Sequence, residues 1–305
     1  MIVTSISDTW NFRIVASMKS ISWIKGIVLL LSLSMSYVFL LRLVAVREEI
    51  ELGVPKRNQT VPPRLIFTYR FDFYNHPELL QHGDDNSLIL AHENVLKTVN
   101  LYNISLNGTA EVVFLDHRKC RKVIEDVYPE LLKYFDIERG KFQSDMCRVA
   151  ELYQHGGYYF DIDLETVSPL IVPDNMEFVS VITAYTGLFA QGFIASYPEN
   201  RILWLAFTTM MEFYQSNGVA RNDDALMGPK TFLEAFQRAS PSEKAVSYLL
   251  SEINLESLKH AKFKSKLRSG GGGSCNYVIC DPPPQMKNIY FYSRFVGASK
   301  WCSKL

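Results

Sequence analysis

Hydrophobic and polar positions divide the chain into segments of different character. A strongly apolar run covers residues 26–46, a polar stretch covers 47–61, and residues 62–305 mix alternating and helix-period segments. At about 1.5 Å per residue the apolar run would span about 31 Å as a helix, enough to cross a hydrocarbon core of about 30 Å. The pattern predicts a cytoplasmic tail over 1–25, followed by a single transmembrane signal-anchor, a short stem and one folded domain.

The charges ahead of the apolar run predict its orientation. Arg13, Lys19 and Lys25 precede it against a single Asp8. The positive-inside rule therefore places the N-terminus in the cytoplasm and the folded domain in the lumen of a secretory compartment. A cleaved signal peptide is the alternative, but its apolar core is shorter and ends at an A-x-A-like site, which the sequence lacks after this run.

Glycosylation sequons occur on the predicted lumenal side of the membrane. They begin at Asn58, Asn103 and Asn107, and each predicts an exposed acceptor for an N-linked glycan. Triplets of this kind also arise by chance, so each sequon alone is weak support for the topology.

The five cysteines also follow the membrane run, in a region where an oxidising compartment would allow disulfides. No two of them form a C-x-x-C pair, which disfavours a structural zinc knuckle. Cys275, Cys280 and Cys302 are the expected disulfide partners. Cys147 lies in a predicted core helix and is expected to be a small buried hydrophobic residue.

Strand-like and helix-like segments alternate within 62–305. The strands are predicted at 64–69, 111–115, 158–162, 178–183 and 189–196, and a helix is predicted at 201–215. This alternation favours an α/β domain with a largely parallel sheet and helices on its faces.

Overall composition excludes several classes of protein. The chain has 305 residues, of which 48% are hydrophobic and 21% charged, so neither a disordered chain nor a multi-span membrane protein fits. Its 32 basic and 32 acidic residues give no net charge. We therefore expect no nucleic-acid partner, and any anion site must be local.

The stretch 144–170 has the strongest functional pattern in the sequence. Ser144 is a candidate helix cap, the apolar positions after it have helical spacing, and Gly156 and Gly157 predict a left-handed end to the helix. A strand follows, in which Asp161 and Asp163 are two residues apart and would share one face.

Helix and strand lengths bring the charged residues of this stretch together. The helix from Asp145 to His155 would rise about 15 Å and the returning strand about 17 Å, so Asp145 and Arg148 should lie level with Asp161 and Asp163. Three carboxylates and an arginine at the carboxyl end of a strand suit Mg²⁺ or Mn²⁺ bridging a diphosphate. The alternative is a solvated strand end with an Asp145–Arg148 ion pair.

The segment SDMCRVAELYQHGGYYFDID closely resembles the D-x-D sugar-binding region of a family of retaining glycosyltransferases. That family includes the fungal initiation-specific mannosyltransferases and the inositol-phosphoceramide mannosyltransferases. The strong match covers 143–170, and a weaker correspondence extends over 62–301. The resemblance implies a GT-A-type nucleotide-binding α/β sheet in the lumen of the Golgi, behind a single N-terminal transmembrane helix.

The resemblance also implies roles for individual residues. Asp163 matches the acid that ligates Mn²⁺, and Asp161 matches the acid near the ribose, the donor sugar and the metal. Asp145 and Arg148 match the pair that grips the sugar hydroxyls. Gln191 stands roughly where the family often has an asparagine, close to the anomeric carbon.

The C-terminal segment RFVGASKW is similar to the family's H-H-x-x-G-S-W segment, but Arg294 and Phe295 replace the two histidines. The match implies Ser299 as an oxygen ligand of the metal and Arg294 or Lys300 as a phosphate contact. A buried Trp301 that anchors the tail is the alternative.

Two further segments are relevant to the implied site. Gly228-Pro229 resembles the family's T-G-P turn, with Met227 in place of threonine. The basic and glycine-rich segment 259–274 has three interpretations: a lid over the site, a basic face or a plain loop.

Together these features predict a metal-dependent, retaining transfer of a hexose from a nucleotide sugar to a glycan or glycolipid. GDP-mannose is the first expectation for the donor, followed by UDP-galactose and UDP-N-acetylglucosamine. Two alternatives remain. One is a haloacid-dehalogenase-like phosphatase, which also uses D-x-D at a strand end, although Glu165 here occupies the place of its Thr or Val. The other is a non-catalytic lumenal module that binds sugar nucleotides or glycans.

Overall fold

The computed structural model describes most of the predicted folded domain. The described ranges are 60–82, 86–183, 186–218, 227–254, 276–283 and 286–294, and all lie within one compact unit, Gln59–Leu305. The predicted membrane segment 26–46 lies outside these ranges. Within them, no helix combines the length and the apolar character that a membrane crossing requires.

Nine described strands form one sheet. They are β1 (Arg64–Thr68), β2 (Glu111–Leu115), β3 (Gly157–Phe160), β4 (Leu164–Thr166), β5 (Phe178–Thr183), β6 (Phe189–Ser196), β7 (Ser247–Asn254), β8 (Asn276–Cys280) and β9 (Ile289–Arg294). Their order across the sheet is β2-β1-β3-β6-β5-β7-β8-β9-β4. The predicted bounds of β2, β5 and β6 are confirmed, and β1 ends one residue earlier than predicted.

Seven described α-helices accompany the sheet. They are α1 (Asn86–Ser105), α2 (His117–Val127), α3 (Leu132–Phe135), α4 (Gly140–His155), α5 (Arg201–Asn217), α6 (Met227–Arg238) and α7 (Pro241–Ala245). Side-chain caps fix several of the starts: Asp116 accepts from the Lys119 amide at 2.8 Å, and Asn200 accepts from the Ile202 amide at 2.9 Å.

The sheet is mixed, so the prediction of a largely parallel sheet was wrong. Strand β1 pairs in parallel with β2 and β3, and β5 pairs in parallel with β7. The other described pairings are antiparallel. The link between β5 and β6 explains part of the difference. The segment between Thr183 and Phe189 is too short to contain a crossover helix, so these two strands must run in opposite directions.

Helices cover both faces of the sheet. On one face, α2, α4, α5 and α6 pack around a core that includes Ile66 and Tyr159. On the other face, α1 packs over a core that includes Leu65, Phe67 and Phe160. Since neighbouring residues of β1 and β3 contribute to opposite cores, these strands are buried on both sides, as expected for the centre of an α/β sheet.

The turn between α4 and β3 depends on glycine. Gly156 caps α4 with a φ of +66°, which confirms the predicted glycine stop. A β-carbon there would lie 2.8 Å from the Ser196 carbonyl oxygen and from the Pro198 ring. The chain can therefore reverse tightly from the end of α4 into β3 only because residue 156 has no side chain.

A disulfide joins α2 to α4, between Cys120 and Cys147, whose Cα atoms are 5.1 Å apart. The expectation that Cys147 is an unpaired buried hydrophobic residue was therefore wrong. The two helices pack side by side and face each other at these positions, a tertiary contact that cysteine spacing does not indicate. Cys280, an expected disulfide partner, is a buried free thiol. Cys275 and Cys302 lie outside the described ranges.

Candidate active site

The D-x-D motif forms a turn directly after β3. Strand β3 ends at Phe160, the Asp161 amide donates to the Gly192 carbonyl at 2.7 Å, and the Leu164 amide donates to the Asp161 carbonyl at 3.1 Å. The predicted strand 158–162 was therefore two residues too long at this end. The two carboxylates lie in a turn at the carboxyl end of β3 and not on one face of a strand.

Arg148 joins two of the predicted carboxylates. Its Nη2 lies 3.3 Å from Asp145 Oδ1, and its Nη1 lies 3.3 Å from Asp161 Oδ1. Nη1 also donates to the Gln191 carbonyl at 2.6 Å. The side chain is only 7% exposed. The structure therefore brings Asp145, Arg148, Asp161 and Gln191 together, and it fixes the guanidinium between two acids.

Three further polar residues hold this arrangement, and sequence reasoning did not assign them to it. The Tyr159 hydroxyl donates to Asp161 Oδ1 at 2.6 Å, and the Arg148 guanidinium lies over the Tyr159 ring, 4.6 Å from its centroid. Thr68, at the end of β1, lies 2.7 Å from the Ser144 hydroxyl and 3.0 Å from the Tyr159 hydroxyl. The hydroxyls of Thr68, Ser144 and Tyr159 thus form one hydrogen-bonded network.

Ser144 belongs to this network and does not cap the helix. Helix α4 begins at Gly140, with Arg139 as the extended residue before it, so Ser144 lies one turn inside. The predicted cap was wrong because the helix continues N-terminally past the serine. The Ser144 hydroxyl instead accepts from Arg148 Nη2 at 3.1 Å, and its carbonyl accepts from Arg148 Nε at 3.2 Å.

Burial shifts the pKa values of the acids. Burial raises the pKa of Asp145 to about 6, although the charge of Arg148 lowers it. Burial and the charge of Asp161 raise the pKa of Asp163 to about 7. Burial alone would lower the pKa of Arg148, but the charges of Asp161, Tyr159 and Asp145 raise it above its ordinary value. The arginine stays charged, while at Asp145 and Asp163 the effect of burial outweighs the favourable charge of Arg148.

Glu252 is an acid that the sequence did not single out. It lies on β7, is 7% exposed, and contributes to the raised pKa of Asp163. Burial raises its own pKa to about 7, although a hydrogen bond with Ser293 of β9 lowers it. Strand β9 pairs with β4, where Ser293 lies opposite Leu164, and β8 links β9 to β7, which carries Glu252. Pairing between distant strands thus brings Glu252 and Ser293 close to the D-x-D turn, so no local sequence signal predicts this placement.

Gln191 has an unusual environment. Its side chain is 5% exposed, and neither amide atom has a hydrogen-bond partner among the described residues. An unpaired buried amide is destabilising by about 1 to 3 kcal/mol. Such a group next to Arg148 is suited to a polar ligand that would supply the missing partners.

The predicted site residues near the C-terminus lie at or beyond the edge of the described ranges. Arg294 is the last residue of β9, and its side chain lies outside the described part of the structure. Ser299, Lys300 and the segment 259–274 also lie outside it.

A cavity of about 640 Å³ opens beside the D-x-D turn. Its lining includes Arg70 after β1, His117 at the start of α2, Lys141 near the start of α4, and both aspartates of the turn. Arg148 lies behind this lining and contacts two of its residues, Ser144 and Asp161, and Asp145 pairs with Arg148. Basic side chains and apolar walls beside paired acids suit a nucleotide whose phosphates approach the turn.

The acids of the turn provide oxygen ligands suited to a divalent cation. Within the described residues no group of three His, Cys, Asp or Glu side chains is arranged to hold a metal. Asp161 and Asp163 nevertheless supply hard oxygen donors, and their mutual repulsion contributes to the raised pKa of Asp163. Since Mg²⁺ and Mn²⁺ commonly use one or two protein carboxylates together with phosphate and water, these residues fit such an ion.

Replacing Asp145 by asparagine is expected to stabilise the protein in the absence of donor. Raising the pKa from 3.8 to about 6 disfavours the ionised acid in the fold, and at pH 7 removing the carboxylate should raise the free energy of unfolding by about 3 kcal/mol. The penalty is absent below pH 3.8, grows as the pH rises and is complete above about pH 6. Unfolding in urea should therefore give the variant a higher free energy of unfolding than the wild type at pH 7. This difference should become small at pH 4.

Asp126→Asn is a matched control for this measurement, since Asp126 lies on α2, is exposed and pairs with Lys122. Its effect should stay within about 0.5 kcal/mol. A loss of stability in Asp145→Asn at pH 7 would show that the carboxylate is required by the fold.

Comparisons with known proteins agree with the chemistry of this site. Residues 85–181 match a family model described as the glycosyltransferase sugar-binding region containing a DXD motif. None of the curated proteins compared with the chain matches its sequence significantly. The chain therefore contains a glycosyltransferase-like region with a DXD sugar-binding motif, in which α1 to β5 carry the matched residues.

Solved structures of transferases are among those similar to the chain. The match to a structure described as PaToxG glycosyltransferase covers 62% of this chain and 73% of the chain in that structure, with 20% identity and a TM-score of 0.36. The match to a structure described as a transferase mutant covers 62% of this chain and 93% of the chain in that structure, with 10% identity and a TM-score of 0.36. The UDP-bound glycosyltransferase domain of the YGT toxin covers 52% and 47%, with 12% identity and a TM-score of 0.22.

Proposed function

We propose that this protein is a retaining, metal-dependent glycosyltransferase that moves a hexose from a nucleotide sugar to a glycan or glycolipid. The observation that carries the proposal is Arg148, held between Asp145 and Asp161 at the carboxyl end of β3, next to a cavity of about 640 Å³. This arrangement lies inside the matched DXD region. A GT-A-type sheet is part of the same proposal.

Different residues of the chain bind different parts of the donor. The cavity receives the nucleotide, with Lys141 and Arg70 near its phosphates. Asp145 accepts hydrogen bonds from sugar hydroxyls, Arg148 holds the carboxylates of Asp145 and Asp161 in place, and the amide of Gln191 supplies donors and an acceptor near the reacting carbon. Because Arg148 is locked by its contacts, the sugar meets a preformed set of partners.

Asp161 and Asp163 would hold Mn²⁺ or Mg²⁺, with Ser299 as a further oxygen ligand. The ion supplies positive charge that stabilises the diphosphate leaving group. A covalent intermediate with a carboxylate is not part of the proposal. The leaving phosphate oxygen is then the base that accepts the acceptor proton, on the face from which the diphosphate departs.

A phosphatase role is less well supported by the contacts of Asp161. A nucleophilic aspartate of that class attacks phosphorus through a carboxylate oxygen. Here Oδ1 of Asp161 already accepts from the Tyr159 hydroxyl and pairs with Arg148. The non-catalytic module remains a second outcome of the test below.

A panel of nucleotide sugars tests the proposal. The full chain is assayed with Mn²⁺ and GDP-mannose, UDP-galactose or UDP-N-acetylglucosamine, and release of the nucleoside diphosphate is measured. We expect turnover with one donor, GDP-mannose first. Turnover of p-nitrophenyl phosphate instead would identify a phosphatase, and donor binding without turnover would identify a binding module.

We further propose a Golgi location, with 26–46 spanning the membrane once and the catalytic domain in the lumen. Two features support a lumenal domain. The Cys120–Cys147 bond is typical of an oxidising compartment. Asn103 and Asn107 of the sequons are exposed, at the end of α1 and in the turn that follows.

Glycosylation tests the orientation. In a eukaryotic host, removal of N-glycans by a glycosidase should reduce the apparent mass of the wild type. An Asn103→Gln, Asn107→Gln variant should show a smaller reduction. A wild type whose mass does not change, together with a glycosylated N-terminal tag, would reverse the proposed topology.

A further inference from the structure

We propose that Gly228 is a positioning residue for Asp145, because its missing side chain leaves the space that the Asp145 carboxylate occupies. A β-carbon on Gly228 would lie 2.6 Å from Asp145 Cγ and closer still to Oδ2, both too close for a real contact, and 3.1 Å from Oδ1. Gly228 is not among the glycines with positive φ. Space, and not backbone conformation, therefore explains why glycine occurs here.

Helix α6 cannot move away to make room for a side chain. Phe232 of α6 packs on Phe178 and Phe189, with ring centroids 6.0 and 5.5 Å away, and Phe236 packs on Phe189 at 5.4 Å. The Thr231 hydroxyl donates to the Gly228 carbonyl at 2.9 Å. The ring contacts hold α6 against the sheet, and the hydrogen bond lies within the helix itself.

Asp145 is then the group that an added methyl would displace. Its carboxylate lies 3.3 Å from Arg148, whose other contacts hold the guanidinium in place. A shift of the carboxylate would therefore break the Asp145–Arg148 pair without moving the D-x-D turn. The sugar end of the site should be affected, while the cavity that receives the nucleotide should not.

The consequence for sugar binding rests on the proposed transferase function, whereas the packing of Gly228 on Asp145 does not. Alanine favours a helix over glycine. Gly228→Ala should therefore be harmful only while the Asp145 carboxylate is present. In an Asp145→Ala background the clash disappears, and the same substitution should become neutral or stabilising.

A double-mutant cycle on the full chain tests this reversal of sign. We expect Gly228→Ala to lower the melting temperature in the wild type and to leave it unchanged or raise it in Asp145→Ala. Lys230→Ala, an exposed substitution in the same helix, should have the same small effect in both backgrounds. An equal loss of melting temperature for Gly228→Ala in both backgrounds, or no loss in the wild type, overturns the proposal.

Activity provides the second measurement. With GDP-mannose or the best donor of the panel, Gly228→Ala should reduce turnover at least tenfold, whereas inhibition by GDP or UDP alone should change less than twofold. Unchanged turnover in a variant with a lowered melting temperature also overturns the positioning role. If the wild type turns over no donor, the transferase function fails, and the melting temperatures still decide the packing.

Discussion

Replacing Arg148 by lysine is expected to slow sugar transfer about a thousandfold, equivalent to about 4 kcal/mol. Arginine contacts Asp145, Asp161, the Gln191 carbonyl and Ser144 at the same time. A lysine ammonium keeps the charge but cannot reproduce the planar set of donors that reaches all of them. Asp145 and Asp161 would then lose their ion-pair partner, and the groups that bind the sugar would no longer be held in one arrangement.

The measurement compares kcat and donor KM with the affinity for the nucleoside diphosphate. Transfer should fall while the diphosphate still binds, since Arg148 lies behind the cavity lining. Arg121→Lys is the matched control, because Arg121 makes a two-point contact with Asp136 on the exposed surface of α2. Transfer within twofold of the wild type at saturating donor would show that Arg148 is only a structural ion-pair partner.

Replacing Asp163 by asparagine is expected to slow transfer about a hundredfold, or about 3 kcal/mol. The substitution keeps the shape of the side chain and removes an anionic ligand for the proposed cation. The fold should survive, since the substitution also relieves the repulsion from Asp161 that contributes to the raised pKa of Asp163. Calorimetric titration with Mn²⁺ should show weaker binding than in the wild type.

The pH dependence of Mn²⁺ binding gives an independent measurement. With a pKa of about 7, Asp163 is protonated in part at neutral pH, and a cation must displace that proton. Affinity for Mn²⁺ should therefore rise from pH 6 to pH 8 in the wild type and change less in Asp163→Asn. Glu165→Gln is the matched control, because Glu165 pairs with Lys97. Transfer by Asp163→Asn at the wild-type rate, with or without EDTA, would refute the metal-bridged mechanism.

Local sequence signals predicted the central elements of the fold. The bounds of β2, β5 and β6 follow from short apolar runs, and the end of α4 follows from Gly156. The D-x-D motif was located because its two acids are adjacent to a strongly apolar strand. In each case the residues that determine the feature are neighbours in the chain, so periodicity and turn chemistry are sufficient.

Non-local contacts account for what the sequence did not predict. Tyr159 lies in the predicted strand 158–162, yet its hydroxyl contacts Asp161, and Thr68 reaches the same network from β1. Glu252 approaches Asp163 only through the packing of the strands that follow the matched region. The bond between Cys120 and Cys147 depends on how α2 and α4 pack, which cysteine spacing does not encode.

That bond also has a consequence for the integrity of the chain. Residues 120–147 form a closed covalent ring, and the ring contains α3 and the first two turns of α4. A protease that cuts between α2 and α4 would leave both fragments attached, so electrophoresis would show one species without reductant and two with it. The wall of the cavity that α2 and α4 share can thus remain assembled after the backbone between them is broken.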